Sequence, residues 1–292
     1  MNKKVKSIPF GKIAVIFVMI LFLITTTILI IRPDYRFEAK QVIKSIGGTS
    51  RLEEIDSDSI EKISVNVNNA AGCGCTINQS KMLVNTAHIL PDGFKPQIRE
   101  YKSTGVKMNN CMIAAYSKLS SDIKEQTGEN LYVMSSFRTA EEQKEIEEEQ
   151  GSDTAMPTGS SEHQTGLGLD VYFDGYAGQA IIKCDAGQYL NEYCWKNGFI
   201  IRYPVGKKKI TGIDYEPWHI RYVGAPHAEI IMKNHLTLEE YYETLEPGKF
   251  YRYKEYIISR QSGENLQVPK GIATEISSDN CGNYIITVKI PE

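Results

Sequence analysis

Strict alternation from Leu167 to Phe173 constrains this chain more than any other feature. Leu167, Leu169, Val171 and Phe173 are apolar, and Gly168, Asp170 and Tyr172 stand between them. A period of two belongs to a strand with one buried face, so Asp170 points away from the core. His163 precedes a turn signal at Gln164-Thr165-Gly166, where the chain folds back and brings the imidazole toward the Asp170 carboxylate. Downstream, Glu216-Pro217-Trp218-His219 offers a second imidazole with a glutamate three residues before it. Two imidazoles, one carboxylate and a spare glutamate are the parts of a catalytic zinc site, with three protein ligands, an open water position and a general base. A lone His-x6-Asp arises by chance in many proteins, and the conjunction with Glu-x-x-His gives it weight. His88, His227 and His235 have no comparable neighbours and read as structural or surface residues.

The ordered pattern Ser161-Glu162-His163, Gly166, Asp170, then Glu216-Pro217-Trp218-His219 resembles the zinc D,D-peptidases. These include the VanY-type D-alanyl-D-alanine carboxypeptidases of glycopeptide resistance and their VanX-type dipeptidase relatives. Supporting stretches match in order: Leu83-Val84-Asn85 with His88 and Leu90-Pro91, Ser135 to Thr139 with Gln143, and Gly198 to Pro204. The resemblance covers roughly residues 80 to 245, and Leu169 stands where that family more often has alanine.

The resemblance implies zinc held by His163, Asp170 and His219, with Glu216 as general base. It also implies an Arg138 that binds substrate and stabilises developing charge, and a Ser161 that hydrogen-bonds the carboxylate end of the substrate. The implied substrate is a peptidoglycan precursor peptide ending in D-Ala-D-Ala. Removing its last residue removes the vancomycin target. A D,D-dipeptidase or wall endopeptidase of the same family is an alternative. So is a non-catalytic, zinc-stabilised binding module, against which Glu216 and Arg138 both speak. A serine-type enzyme is disfavoured, because Ser117 is followed three residues later by Ser120 and not by lysine.

The 292 residues allow one medium catalytic domain plus extras. A net charge of −3 offers no field for a polyanion, so nucleic acid is not an expected partner. Lys3, Lys4, Lys6 and Lys12 precede an uncharged run from Ile13 to Ile31, long enough to span a bilayer. Arg32-Pro33-Asp34 follows with no small-residue cleavage site, which favours an uncleaved anchor over a signal peptide. Charge leaves the orientation open, because Arg32, Arg36, Lys40 and Lys44 balance the four lysines. A cell-wall substrate requires an extracytoplasmic catalytic domain, where the six cysteines favour disulfides.

The expected organisation is a cytoplasmic tail over 1–12, a transmembrane anchor over 13–31 and a stalk over 32–79. A zinc D,D-carboxypeptidase domain follows over 80–248, then a small C-terminal β extension over 249–292. The fold class is α+β: a small antiparallel sheet with flanking helices around a zinc cleft. Helices are expected from about Met112 to Gly128, after the capping box Thr139-x-x-Glu142, from Asp185 to Gly198, and after Thr237-x-x-Glu240. Arg138 then sits at a strand-to-helix junction. Pro217 excludes a helix through Glu216, so a turn must join that glutamate to His219.

Overall fold

The computed structural model describes residues 10–44, 47–151 and 156–291. It opens on α1 (Phe10–Ile31) and α2 (Pro33–Lys44). The window Ala14–Ile31 is uncharged, apolar and unburied, so α1 is long and apolar enough to cross a membrane. Of the tail expected over 1–12, residues 1–9 lie outside the described residues. α2 is docked on the body of the protein: Phe37 is 4% exposed within the main core, and Lys40 and Lys44 reach Glu192 at 3.0 and 2.5 Å.

Three short strands follow, β1 (Glu53–Ile55), β2 (Lys62–Asn66) and β3 (Cys75–Asn78). Next come β4 (Ile98–Glu100), β5 (Lys107–Asn109), α3 (Ile113–Thr127), β6 (Tyr132–Ser135) and α4 (Ala140–Gln150). β7 (Gly168–Tyr172), α5 (Asp185–Tyr193), β8 (Phe199–Ile201), α6 (Lys208–Thr211) and β9 (His219–Tyr222) come next. The chain closes with α7 (His227–Lys233), α8 (Leu238–Glu243), β10 (Phe250–Tyr253), β11 (Tyr256–Ser262), β12 (Asn265–Pro269), β13 (Thr274–Ser278) and β14 (Asn283–Lys289).

The fold is α+β, and local chemistry sets its elements. α3 stops where Gly128 takes the left-handed conformation at φ 78° and its amide caps Lys124 O. α4 and α8 both start in complete capping boxes, Thr139 with Glu142 and Thr237 with Glu240. The four-stranded sheet runs β6-β7-β9-β8 and is antiparallel throughout. Leu167, Leu169, Val171 and Phe173 are at most 1% exposed and pack with Met112, Tyr116, Leu119 and Ile123. Burying each such side chain stabilises by roughly 1.5–3 kcal/mol.

The stalk expected over 32–79 differs from the structure. β1 and β3 are the outer strands of a six-stranded sheet ordered β1-β10-β11-β14-β13-β3, and β2 pairs with β12. Isolated alternating strands bury nothing. Val65, Val67 and Cys75 bury themselves against Phe250, Ile257, Leu266 and Ile286, so residues before β4 and after α8 form one β-unit. The disulfide expectation is not met either, since all six cysteines are free. Cys194 is enclosed in the apolar core with Sγ against Phe199 O at 3.4 Å, and it packs as a small apolar residue.

Candidate metal centre and catalytic cleft

Three elements meet at the site. A short 3-10 turn over Glu162–Thr165 carries His163, and Gly166 ends it at φ 67°. A Cβ at Gly166 would lie 2.4 Å from Ile98 Cδ1 and 2.9 Å from Asn109 N, so the reversal into β7 depends on glycine. Asp170 on β7 is the direct cross-strand partner of His219 on β9, and Ser135 on β6 flanks it on the other side. Neighbouring residues on an antiparallel pair stand about 4.5–5.5 Å apart, which joins two ligand candidates far apart in sequence. Gly168 makes room behind them, since a Cβ there would be 3.0 Å from His219 Nε2.

The donor atoms converge. His163 Nε2 lies 3.2 Å from Asp170 Oδ2, and His219 Nδ1 lies 2.9 Å from Asp170 Oδ1. One ligand atom from each of the three residues falls within 4.8 Å of the others. Their tautomers follow from the outer partners. His163 Nδ1 is 2.9 Å from Ser136 O, which can only accept, so Nδ1 donates and Nε2 keeps its lone pair. His219 Nε2 faces the Glu162 Oε2 carboxylate oxygen at 3.5 Å, which leaves Nδ1 free for the cleft. Two imidazole lone pairs and a carboxylate turned on one another are reconciled by a cation, and N,N,O donation suits zinc.

Glu216 stands beside this group. A turn in which His219 N donates to Glu216 O at 3.1 Å carries its carboxylate to 3.9 Å from His219 Nδ1. Burial, with the charges of Asp170, Asp214 and Glu162, raises the Glu216 pKa against the pull of His219. Burial acts in the same sense on Asp170, but its contacts with His163 and His219 outweigh it and hold the carboxyl far below the usual range. Arg138, between β6 and α4, donates to Ser135 Oγ at 2.8 Å and Gln143 Oε1 at 3.1 Å, and its Nη2 lies 3.9 Å from Asp170 Oδ2. Ser161 opens the His163 turn without a side-chain capping bond. All six sequence-derived residues, Arg138, Ser161, His163, Asp170, Glu216 and His219, line one cleft of about 240 Å³.

A buried ionic cluster behind the cleft carried no assigned role in the sequence reading. Glu162 Oε1 accepts from Arg202 Nε at 2.7 Å and Arg221 Nη1 at 2.5 Å, and all three side chains are fully enclosed. Glu239 closes a two-pronged pair with Arg202 at 2.7 and 2.9 Å. Burial opposes the charge on Glu162, but Arg221 and Arg202 outweigh it and keep the group ionised. A signal was present in the sequence, because the alternation of β9 puts Arg221 on the same face as His219.

The family profile described as VanY, D-alanyl-D-alanine carboxypeptidase, matches residues 105–225. A solved relative, a point mutant of the vancomycin resistance D,D-pentapeptidase VanY from a VanB-type resistance cassette in complex with Zn(II), is 31% identical. That comparison covers 56% of this chain and 98% of the other, with a TM-score of 0.50. The chain belongs to the VanY family. A D-alanyl-D-alanine carboxypeptidase of Enterococcus faecium is 33% identical over 192 residues, 63% of this chain and 62% of that protein, so the match spans under two thirds of this VanY relative's length. The vancomycin resistance D,D-dipeptidase VanXYg, solved with a D-Ala-D-Ala phosphinate analog, shares the fold at 22% identity. Its TM-score is 0.62, with 79% of this chain and 99% of the other covered.

Proposed function

We propose that this chain is a zinc-dependent D,D-carboxypeptidase that removes the terminal D-alanine from peptidoglycan precursor peptides ending in D-Ala-D-Ala. The observation that carries the reading is the convergence of His163, Asp170 and His219 donor atoms within 4.8 Å, with Glu216 at the edge of the same group. The relatives named as carboxypeptidases and the one solved with Zn(II) support it. In this reading residues 80–248 form the catalytic unit, and α1 anchors it to the membrane with the cleft outside the cytoplasm. Loss of the last D-alanine contributes to glycopeptide resistance.

His163, through Nε2, and His219, through Nδ1, would hold zinc with Asp170. When bound, the metal supplies Lewis acidity and lowers the pKa of a coordinated water toward about 7. Glu216, its proton affinity raised by burial, accepts a proton from the attacking water and delivers it to the leaving amine. The Arg138 guanidinium, fixed by Ser135 and Gln143, offers planar donors to an oxyanion or carboxylate. Ser161 adds a hydroxyl for the carboxylate end of the peptide.

Mass spectrometry of a pentapeptide ending in D-Ala-D-Ala, incubated with the zinc-loaded protein, tests the activity. Release of one D-alanine, abolished by chelation and restored by zinc, is the expected result. An intact peptide, or cleavage indifferent to chelator, overturns it.

A further inference from the structure

Among the described residues no hydrogen bond reaches the Glu216 carboxylate, whose ionic neighbour is His219 Nδ1 at 3.9 Å. Its position is therefore set by the backbone that carries it. That backbone is gripped on both sides of Glu216 by a single side chain, Asn191 of α5, which is 4% exposed. Asn191 Oδ1 accepts from the Tyr215 hydroxyl at 3.1 Å, and Asn191 Nδ2 donates to Pro217 O at 2.9 Å. Nδ2 also reaches Gly187 O, one helical turn back, at 3.0 Å. Both carbonyls can only accept, so the amide is fixed in one orientation with its oxygen toward Tyr215.

Asparagine does little for a helix interior, because its amide competes for backbone groups. In α5 that amide is turned outward onto the Glu216 turn. The helix is a firm base for it, since a Cβ at Gly187 would collide with Ile181 O and α5 seats directly on the chain before it. Other bonds steady the same stretch: Gln179 Nε2 donates to Tyr215 O at 2.6 Å, Glu216 N to Tyr203 O at 3.0 Å and Val171 N to Trp218 O at 3.0 Å. Pro217 has no amide hydrogen to contribute, and its carbonyl is the group that Asn191 holds. His219 is held separately, by its register against Asp170 on β7.

We infer that Asn191 is the positioning residue of the general base, holding the Tyr215–Pro217 turn so that the Glu216 carboxylate faces the metal centre. The inference rests on the general-base reading of Glu216 and adds to it a residue outside the cleft, on a helix that carries none of the six site residues. A base displaced by a fraction of an ångström loses rate, while substrate and metal binding, made by other residues, are kept.

The test measures kcat, KM and zinc affinity of the full chain, with a pentapeptide ending in D-Ala-D-Ala as substrate. Asn191→Leu keeps the side-chain volume and deletes both donor and acceptor. It should lower kcat by about tenfold and leave KM and zinc affinity within about twofold. In a Glu216→Ala background the same substitution should cost nothing further, because no carboxylate remains to be placed. Tyr215→Phe removes one of the two grips without altering α5, and should lower kcat by about threefold with the same dependence on Glu216. That variant carries the test where Asn191→Leu fails to fold. Unchanged kcat in Tyr215→Phe and in a folded Asn191→Leu, a loss that persists undiminished in the Glu216→Ala background, or a loss matched by weaker zinc binding each overturns the inference alone. A Glu216→Ala protein with wild-type kcat overturns the general-base reading and this inference with it.

Discussion

Glu162→Gln removes one charge from the centre of the buried cluster while keeping the side-chain shape. In the wild type the Glu162 carboxylate is enclosed, accepts from two enclosed guanidiniums and backs His219 Nε2. Replacing it leaves Arg202 paired with Glu239 and Arg221 with backbone carbonyls, those of Ser80, Met82 and Tyr222. Losing one partner of a buried ion pair costs about 3–5 kcal/mol, and the lower end applies here because an amide oxygen at the Oε1 position still accepts from both guanidiniums. At roughly 2–4 °C per kcal/mol for a domain of this size, the metal-free protein should melt about 6–12 °C lower. A second effect is specific to the cleft. A glutamine amide turned toward His219 Nε2 presents a donor to a donor, and the imidazole responds by moving its proton to Nδ1, the atom aimed at Asp170. Zinc affinity should fall by about 10- to 100-fold, the usual scale for losing a partner behind a ligand. Thermal unfolding in chelator and competition against a chromophoric zinc chelator read the two effects separately. A Glu162→Gln protein with wild-type melting temperature and wild-type zinc affinity would refute the reasoning.

Three further variants probe the cleft. Glu216→Ala should keep the metal while kcat falls by roughly 10²-fold or more; loss of zinc with turnover restored on resupply would make Glu216 a ligand instead. Because burial favours its protonated form, the wild-type kcat/KM should decline on the acid side at a pH above the ordinary glutamate value of about 4.3, as protonation removes the base. A profile flat down to that value would exclude Glu216 as the titrating base. Arg138→Lys keeps the charge but not the planar fork, and should lower kcat/KM by roughly ten- to a thousand-fold with little change in zinc content or melting temperature; near-normal cleavage would mark Arg138 as an ordinary charge. Gly168→Ala pushes a methyl to 3.0 Å from His219 Nε2, and a competition assay should find zinc bound about tenfold more weakly, whereas unchanged affinity would show that the ring gives way freely.

The four-stranded sheet was legible because the seven residues from Leu167 to Phe173, with β7 at their centre, carry the burial pattern, and its helices announce themselves with caps at Thr139, Thr237 and Gly128. The pairing of Asp170 with His219 was reached through motif spacing, since register between β7 and β9 is settled by packing across the sheet and not by either strand alone. The β-unit was hidden for the same reason. β1, β2 and β3 are three to five residues long and find their partners nearly two hundred residues away, so although Ile63 to Val67 alternates as a strand does, nothing local shows what any of them pairs with. The roles of Arg202 and Arg221 escaped because a charged residue in a short strand, or just past the end of one, reads as surface until its carboxylate partner is located.

The docking of α2 bears on where such an enzyme can work. Backbone hydrogen bonds run on from α1 into α2 through Arg32, whose amide meets Ile28 O and whose carbonyl meets Arg36 N. Phe37, Lys40 and Lys44 then fix α2 to the catalytic body. With α1 in the bilayer, as proposed, the cleft rides on a rigid bracket in place of a tether. Its height above the lipid is then set by the length of a helix, and its working volume is a thin shell near the membrane surface. Peptide ends carried on membrane-bound precursors pass through that shell, while those in outer wall layers lie beyond its reach.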